Sequence, residues 1–161
     1  MAIAYYLSLI LINLEKMPKH KEFIFREFLP TDIAGALDLW SSVDGMGLTE
    51  SDTPEKIGLF LARNPGLSAV AISDNGEVIG ALLCGHNGRA GSLYHLAVSA
   101  CARGKGIGHR LVEFCLARLA ELDIPRCNIF VYNDNEEGNR FWLGSGWIDP
   151  ATWRVLQIRL S

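Results

Sequence analysis

The spacing of apolar positions changes repeatedly along the chain, and each change predicts an element. Phe23 to Phe28 alternates aromatic with charged or polar residues and reads as a strand. Pro30-Thr31-Asp32 then opens a helix, with Thr31 or Asp32 as its cap and Ile33, Leu37 and Trp40 on one face. Val43 to Ser51 reads as a loop. Asp52 followed by Glu55 matches a capping box, with Pro54 early in the turn. Ile57, Phe60 and Leu61 give this second helix its buried face, and Asn64-Pro65-Gly66 stops it. Leu67–Ile72 and Glu77–Cys84 form two strands. They are joined through Asp74-Asn75-Gly76, where an Asn-Gly pair supplies positive φ for an antiparallel hairpin. Gly85 to Gly88 turns into a strand from Ser92 to Val98. A glycine-rich segment leads into a helix ending near Leu122, striped with Ile107, Leu111, Cys115 and Leu119. Cys127–Tyr132 is a strand, Asn135 caps a short helix, and Trp153–Leu160 closes the chain as a strand. The order β-α-α-β-β-β-α-β-α-β predicts a mixed α/β sheet with at least one crossover.

Composition changes this picture at one end. The chain has 161 residues and is 49% apolar, but twelve of residues 1–14 are apolar and none is charged. The run is too short for a membrane span, which needs ~20 apolar residues. It also lacks the basic start of a secretory signal. Residues 1–16 therefore read as an arm outside a single domain over 17–161. Met17 is the favoured alternative start, ahead of an arm that packs on the domain.

A net charge of −3 leaves no basic excess for nucleic acid. Cys84, Cys101, Cys115 and Cys127 have neither disulfide-framework nor zinc spacing. A reduced, cytoplasmic chain without a metal or a membrane partner is the expectation.

The chemistry concentrates in Arg103-Gly104-Lys105-Gly106-Ile107-Gly108 at a strand-to-helix junction. Unpaired N–H groups at a helix start, with few Cβ atoms and flanking Arg103 and Lys105, make an anion site suited to pyrophosphate. The spacing fits neither G-x-x-x-x-G-K-S/T nor G-x-G-x-x-G, so nucleotide P-loop and dinucleotide readings both fail.

With Leu96-Ala97-Val98 before it and Asn135, Gly138, Phe141 and Gly146-Trp147 behind it, this segment resembles the Q/R-x-x-G-x-G/A block of the GNAT superfamily of N-acetyltransferases. The resemblance runs from residue 22 to 160. It implies a mostly antiparallel central sheet with a splayed parallel strand pair and flanking helices. It implies acetyl-CoA as co-substrate and an amine, a small molecule or an exposed α-amine, as acceptor. Leu96, Ala97 and Val98 are then expected along the pantetheine, and Arg103 through Gly108 at the pyrophosphate with His109 at its edge. Asn135 is expected near the pantetheine, and Phe141 and Trp142 near the thioester. Pairing of two copies through exposed strands stays open.

Two positions depart from the family's pattern. Trp142 stands where many members carry an acidic tyrosine, and Phe130 where others carry a glutamate. A non-catalytic acyl-CoA-binding module is therefore the alternative. The remaining base is His95, with Tyr94 and Tyr132 as alternative acids and the backbone N–H near Ala97 or Val98 as oxyanion donor. His95 either faces the acceptor or is a hydrogen-bonded sheet histidine. Without the usual base, an acceptor of modest pKa is favoured: an α-amine at ~7.7–8.0 rather than a lysine at ~10.4. Asp44, Glu50, Asp52 and Glu55 lie in one segment without a basic partner up to Glu55. Asp44 and Glu50 are expected to meet a cationic substrate, and Asp52 and Glu55 to cap a helix.

Overall fold

The computed structural model describes residues 23–150, 152 and 155–158. The expected arm, 1–16, lies outside them. Five strands form one sheet in chain order: β1 (Ile24–Glu27), β2 (Ala69–Ile72), β3 (Val78–His86), β4 (Gly91–Val98) and β5 (Cys127–Ile129). The first four pair antiparallel, and β5 runs parallel to β4.

Alternation in β2 explains how the sheet is covered. Val70 and Ile72 point into a core shared with α1 (Ile33–Ser41) and α2 (Pro54–Arg63). Ala69 and Ala71 point into the opposite core, shared with α3 (Ile107–Glu121) and with Trp142 of α4 (Glu136–Gly144). Both faces of β2 are buried, so it reads as a continuous apolar run.

Several local expectations are corrected. Pro30–Asp32 is a 3-10 turn, and the Asp32 carboxylate does not cap α1. It accepts from the Leu29 N–H at 2.8 Å and pairs with Arg26 at 2.6 Å. Thr53, not Asp52, caps α2, accepting from the Lys56 N–H at 3.3 Å. In the β2–β3 turn only Gly76 takes positive φ, and Asn75 does not. The Ser73 hydroxyl instead accepts from the Glu77 N–H and closes a longer loop. β5 stops at Ile129, three residues earlier than expected. Residues 155–158, expected inside the closing strand, form no strand, and Leu156 and Ile158 are exposed.

The feature that shapes the site is in β4. Ala97 pairs with Ala81 and Tyr94 with Leu83, so His95 and Leu96 together face one residue, Leu82. This is a β-bulge, and His95 takes φ +55° to form it. The extra residue sends both Tyr94 and His95 to the α1–α2 face, where they meet Phe60 and Trp40. Leu93, Leu96 and Val98 belong to the α3 face.

Candidate active site

The bulge coincides with the end of the parallel pairing. β4 and β5 are in register at Gly91, Ser92 and Leu93, and no described strand follows beyond. The outer edge of β4 is therefore open from Tyr94 to Val98. Strand geometry decides which groups face that edge. Ser99 donates its N–H to Ile79 at 2.8 Å, one residue outside the Gly80–Val98 pair. That pattern makes Gly80–Val98 a non-hydrogen-bonded pair. The Val98 N–H and C=O thus point away from β3 to the open edge, whereas Ala97 turns its backbone toward Ala81. The Val98 carbonyl accepts from Arg103 Nε at 3.3 Å.

Val98 leads into a short 3-10 turn, Ala100–Ala102, and then the glycine segment. Gly104 and Gly106 take φ +73° and +76°, left-handed backbone that glycine adopts without a Cβ clash. Among the described residues, the N–H groups of Gly104 through His109 donate to no carbonyl or side chain. The first paired donor is Arg110, to Gly106 at 3.1 Å. Six adjacent orphan N–H groups at the positive end of a 15-residue helix fit a phosphate-bearing ligand. Lys105 turns its ammonium to the Cys101 carbonyl at 3.2 Å and over the Phe23 ring. Arg103 also reaches Glu137 at 3.4 Å. Ile107 sends its side chain into the core.

The remaining residues expected at the cofactor form a second wall. The Asn135 side chain caps α4, accepting from the Gly138 N–H at 2.8 Å. Phe141 packs against the backbone of Gly108, and His109 stacks on Phe141 at 4.6 Å while its Nε2 meets Ser145 Oγ at 3.1 Å. Trp142 is buried between Phe141 and Trp147, so its indole serves the core.

On the other side, Asp44, Gly45 and Gly47 of the α1–α2 loop face Tyr132, Asp134, Asn135, Glu136 and Glu137 across an open cleft of about 530 Å³. The Tyr132 ring lies directly over Gly47. Glu50 is not in this lining; it contributes its main-chain carbonyl to Lys56 Nζ at 2.9 Å. Tyr94 packs edge-on against Phe60, a packing role.

Asp52 is the residue that sequence reasoning misassigned. Its carboxylate accepts from the Thr49 N–H at 2.7 Å and meets His95 Nε2 at 2.7 Å. Burial works against its charge, but the Thr49 amide and the His95 ring outweigh it and hold the carboxyl below its ordinary value. Capping and pairing use the same residue type, so only the long-range contact with β4 distinguishes them.

A family model described as the Acetyltransferase (GNAT) family matches residues 35–147. An acetyltransferase of Pectobacterium atrosepticum is 31% identical over 111 residues, covering 69% of this chain and 77% of that protein. The chain belongs to the GNAT acetyltransferase family. Among solved structures, this GNAT chain is similar to Ard1 from Thermoplasma volcanium, with a TM-score of 0.68 and 24% identity over 78% of this chain and 82% of that one. It is also similar to a Mycobacterium tuberculosis protein solved in complex with CoA, with a TM-score of 0.58 and 19% identity over 73% and 70% of the two chains. At these identities both structures speak for the GNAT fold. The mostly antiparallel sheet with its parallel β4–β5 pair and flanking helices matches the expected architecture. Among the described residues no helix is long and apolar enough to cross a membrane.

Proposed function

We propose that the protein is an N-acetyltransferase that moves an acetyl group from acetyl-CoA directly to an amine entering by the acidic cleft. One observation carries this reading: the open edge of β4 runs straight into six orphan N–H groups at the start of α3. A ligand with an extended amide arm and a pyrophosphate satisfies both. The Mycobacterium tuberculosis neighbour bears CoA, which agrees with that choice.

When bound, acetyl-CoA supplies an activated thioester. The protein's residues do the rest. Leu96 and Val98 hold the pantetheine arm on the open edge, and the backbone from Arg103 to Gly108 holds the pyrophosphate. The Val98 N–H, directed outward, donates to the thioester oxygen and stabilises charge there. Asp44, with Asp134, Glu136 and Glu137 across the cleft, draws in a cationic amine. An amine that arrives as an ammonium must lose a proton, and His95 is the base for that step. The Tyr132 hydroxyl, on the cleft wall, is the candidate acid for the leaving thiolate. Positioning two reactants supplies ~7–11 kcal/mol, more than the roughly 10²- to 10⁴-fold of acid–base help. Phe130 and Trp142 at the family's acid–base positions therefore do not argue for a non-catalytic module.

Thiol release from acetyl-CoA with a panel of amines tests the reading. Release that depends on the acceptor, with α-amines and weakly basic amines ahead of lysine side chains, is the expected result. Tight acetyl-CoA binding without acceptor-dependent release overturns it. His95→Gln should lower kcat/KM by about 10²- to 10⁴-fold at neutral pH. Unchanged turnover and pH profile would remove His95 as base.

A further inference from the structure

The assignment of His95 as base, on which this inference rests, leaves one question. An imidazole has two nitrogens, and only a fixed tautomer presents a lone pair at a fixed place. The surroundings of His95 decide which nitrogen that is. Nε2 lies 2.7 Å from Asp52 Oδ1, and the two side chains are only 18% and 11% exposed. Asp52 is itself anchored, because its other oxygen accepts from both the N–H and the hydroxyl of Thr49, at 2.7 and 3.0 Å. The ring leans on Trp40, with centroids 5.2 Å apart, and this fixes its plane. Among the described residues Nδ1 has no partner, and the one fully buried, unpartnered side-chain nitrogen or oxygen is Trp40 Nε1, so Nδ1 is not sealed in the core.

The electrostatics agree with this arrangement. Trp40 of α1, against the ring, carries no charge, and Tyr94 turns to Phe60. Among the described residues, Asp52 is the charged group hydrogen-bonded to the imidazole. A carboxylate accepts only, so the Nε2 position must carry the proton. The backbone adds a further sign. A non-glycine residue at φ +55° is strained, and such strain persists where the surroundings hold it in place for a purpose. Here it turns the ring out of the strand's alternation and onto Asp52.

We propose that Asp52 is a positioning residue. It locks His95 as the Nε2–H tautomer, stabilises the imidazolium that forms, and leaves Nδ1 as the lone pair that takes the amine proton. The step balances. The ammonium first gives one proton through Nδ1 to water, which frees the nitrogen lone pair. That lone pair forms the new C–N bond, the C–S bond breaks with its electron pair on sulfur, and the second N–H proton passes to Nδ1 while the thiolate takes a proton from Tyr132, which the imidazolium replaces by way of water. The pairing also explains why the loop bearing Asp44 and the strand bearing the donor N–H share one support: Asp52 joins them.

The test begins with a readout that needs no turnover. Long-range ¹⁵N–¹H correlation spectra of histidine-labelled protein, with His95→Gln for assignment, report which ring nitrogen carries the proton. Neutral His95 should show Nε2 protonated and Nδ1 bare, and Asp52→Asn should turn this into a mixture or reverse it. An Nδ1–H tautomer in the unaltered protein, or an unchanged tautomer in the variant, overturns the proposal. In kinetics, Asp52→Asn should lower kcat/KM for the amine by about 10²- to 10³-fold at neutral pH with the KM for acetyl-CoA unchanged. Activity should recover as pH rises and the amine frees itself. If the loss in Asp52→Asn persists at high pH, the contact only props the loop and the proposal fails. A chain that transfers no acetyl group would sink the proposed function, while the tautomer spectra would still judge the dyad.

Discussion

Gly106→Ala separates backbone strain from every other consequence of adding a methyl group. Gly106 sits at φ +76° at the N terminus of α3, and a Cβ built there meets nothing within 4 Å. No steric contact contributes, so the whole penalty is that of an L-residue in the left-handed region, about 1–2 kcal/mol. For a chain of this length that is a fall in Tm of about 2–8 °C. Gly144, in α4, is the internal control: it too has open space around it, but its φ is not positive. Gly144→Ala should therefore raise stability by about 0.4–1 kcal/mol. Urea denaturation of the two variants, with unchanged m-values, should move their midpoints in opposite directions. Gly106→Asn should fall between alanine and the unaltered protein, because asparagine tolerates this region better. The same variant probes the ligand. A saturating ligand at 100 times its Kd stabilises by about 2.7 kcal/mol, and Gly106→Ala should lose part of that increment for CoA because its N–H groups are re-aimed. Equal midpoints for the two alanine variants would refute the strain argument. A full CoA increment in Gly106→Ala would refute the role of this loop.

Arg103 and Glu137 form an exposed ion pair at 3.4 Å. Arg103→Ala should thus change stability by less than about 1 kcal/mol, yet weaken CoA binding, with the loss shrinking as salt rises in titration calorimetry. Asp44→Asn should raise the KM of a diamine while leaving that of acetyl-CoA in place, as steady-state kinetics would show. The Asp32 and Asp52 carboxyls are both held below their ordinary value, against burial, by Arg26 and Leu29 in one case and by Thr49 and His95 in the other. Unfolded, they titrate near ~3.9. The unfolded chain then binds more protons, so their stabilisation is complete above that value and is lost as pH falls through the folded ones. Asp32→Asn should flatten the acid limb of a denaturation-midpoint profile. Cys101 is exposed, whereas burial pushes Cys127 up to about 12 and the hydrogen-bonded, buried Cys115 higher still. A thiol reagent should modify Cys101 in the native protein and Cys84, Cys115 and Cys127 only after unfolding.

Local pattern carried the sheet and its covering helices. Val70 and Ile72 against Ala69 and Ala71, and the stripe from Ile107 to Leu119, are readable because burial repeats with the period of the element. The glycine segment was readable for a similar reason, since its helix start and its lack of Cβ atoms are adjacent in the chain. What stayed hidden depends on partners far away in sequence. Asp52 looks like a cap because Glu55 follows it, and its true partner is 43 residues on. The bulge leaves no mark in Tyr94-His95-Leu96, because it exists only in register with Leu82. β5 ends at Ile129 although Phe130 and Val131 favour strand, because its pairing with β4 stops at Leu93, just before the bulge in β4.

That bulge ties the placing of His95 to a single unit of chain length. Removing one residue from the His95-Leu96 pair would bring β4 back into step with β3. The side chains from Gly91 to Tyr94 would keep their β3 partners and their faces, but the one residue left opposite Leu82 would turn to the α3 face, and the histidine would leave Asp52. An insertion or deletion here cannot be tuned gradually, as a substitution can. The stretch between Tyr94 and Ala97 should therefore tolerate changes of residue far better than changes of length. A library that varies both, selected for folding alone and then for acetyl transfer, would measure the two constraints separately.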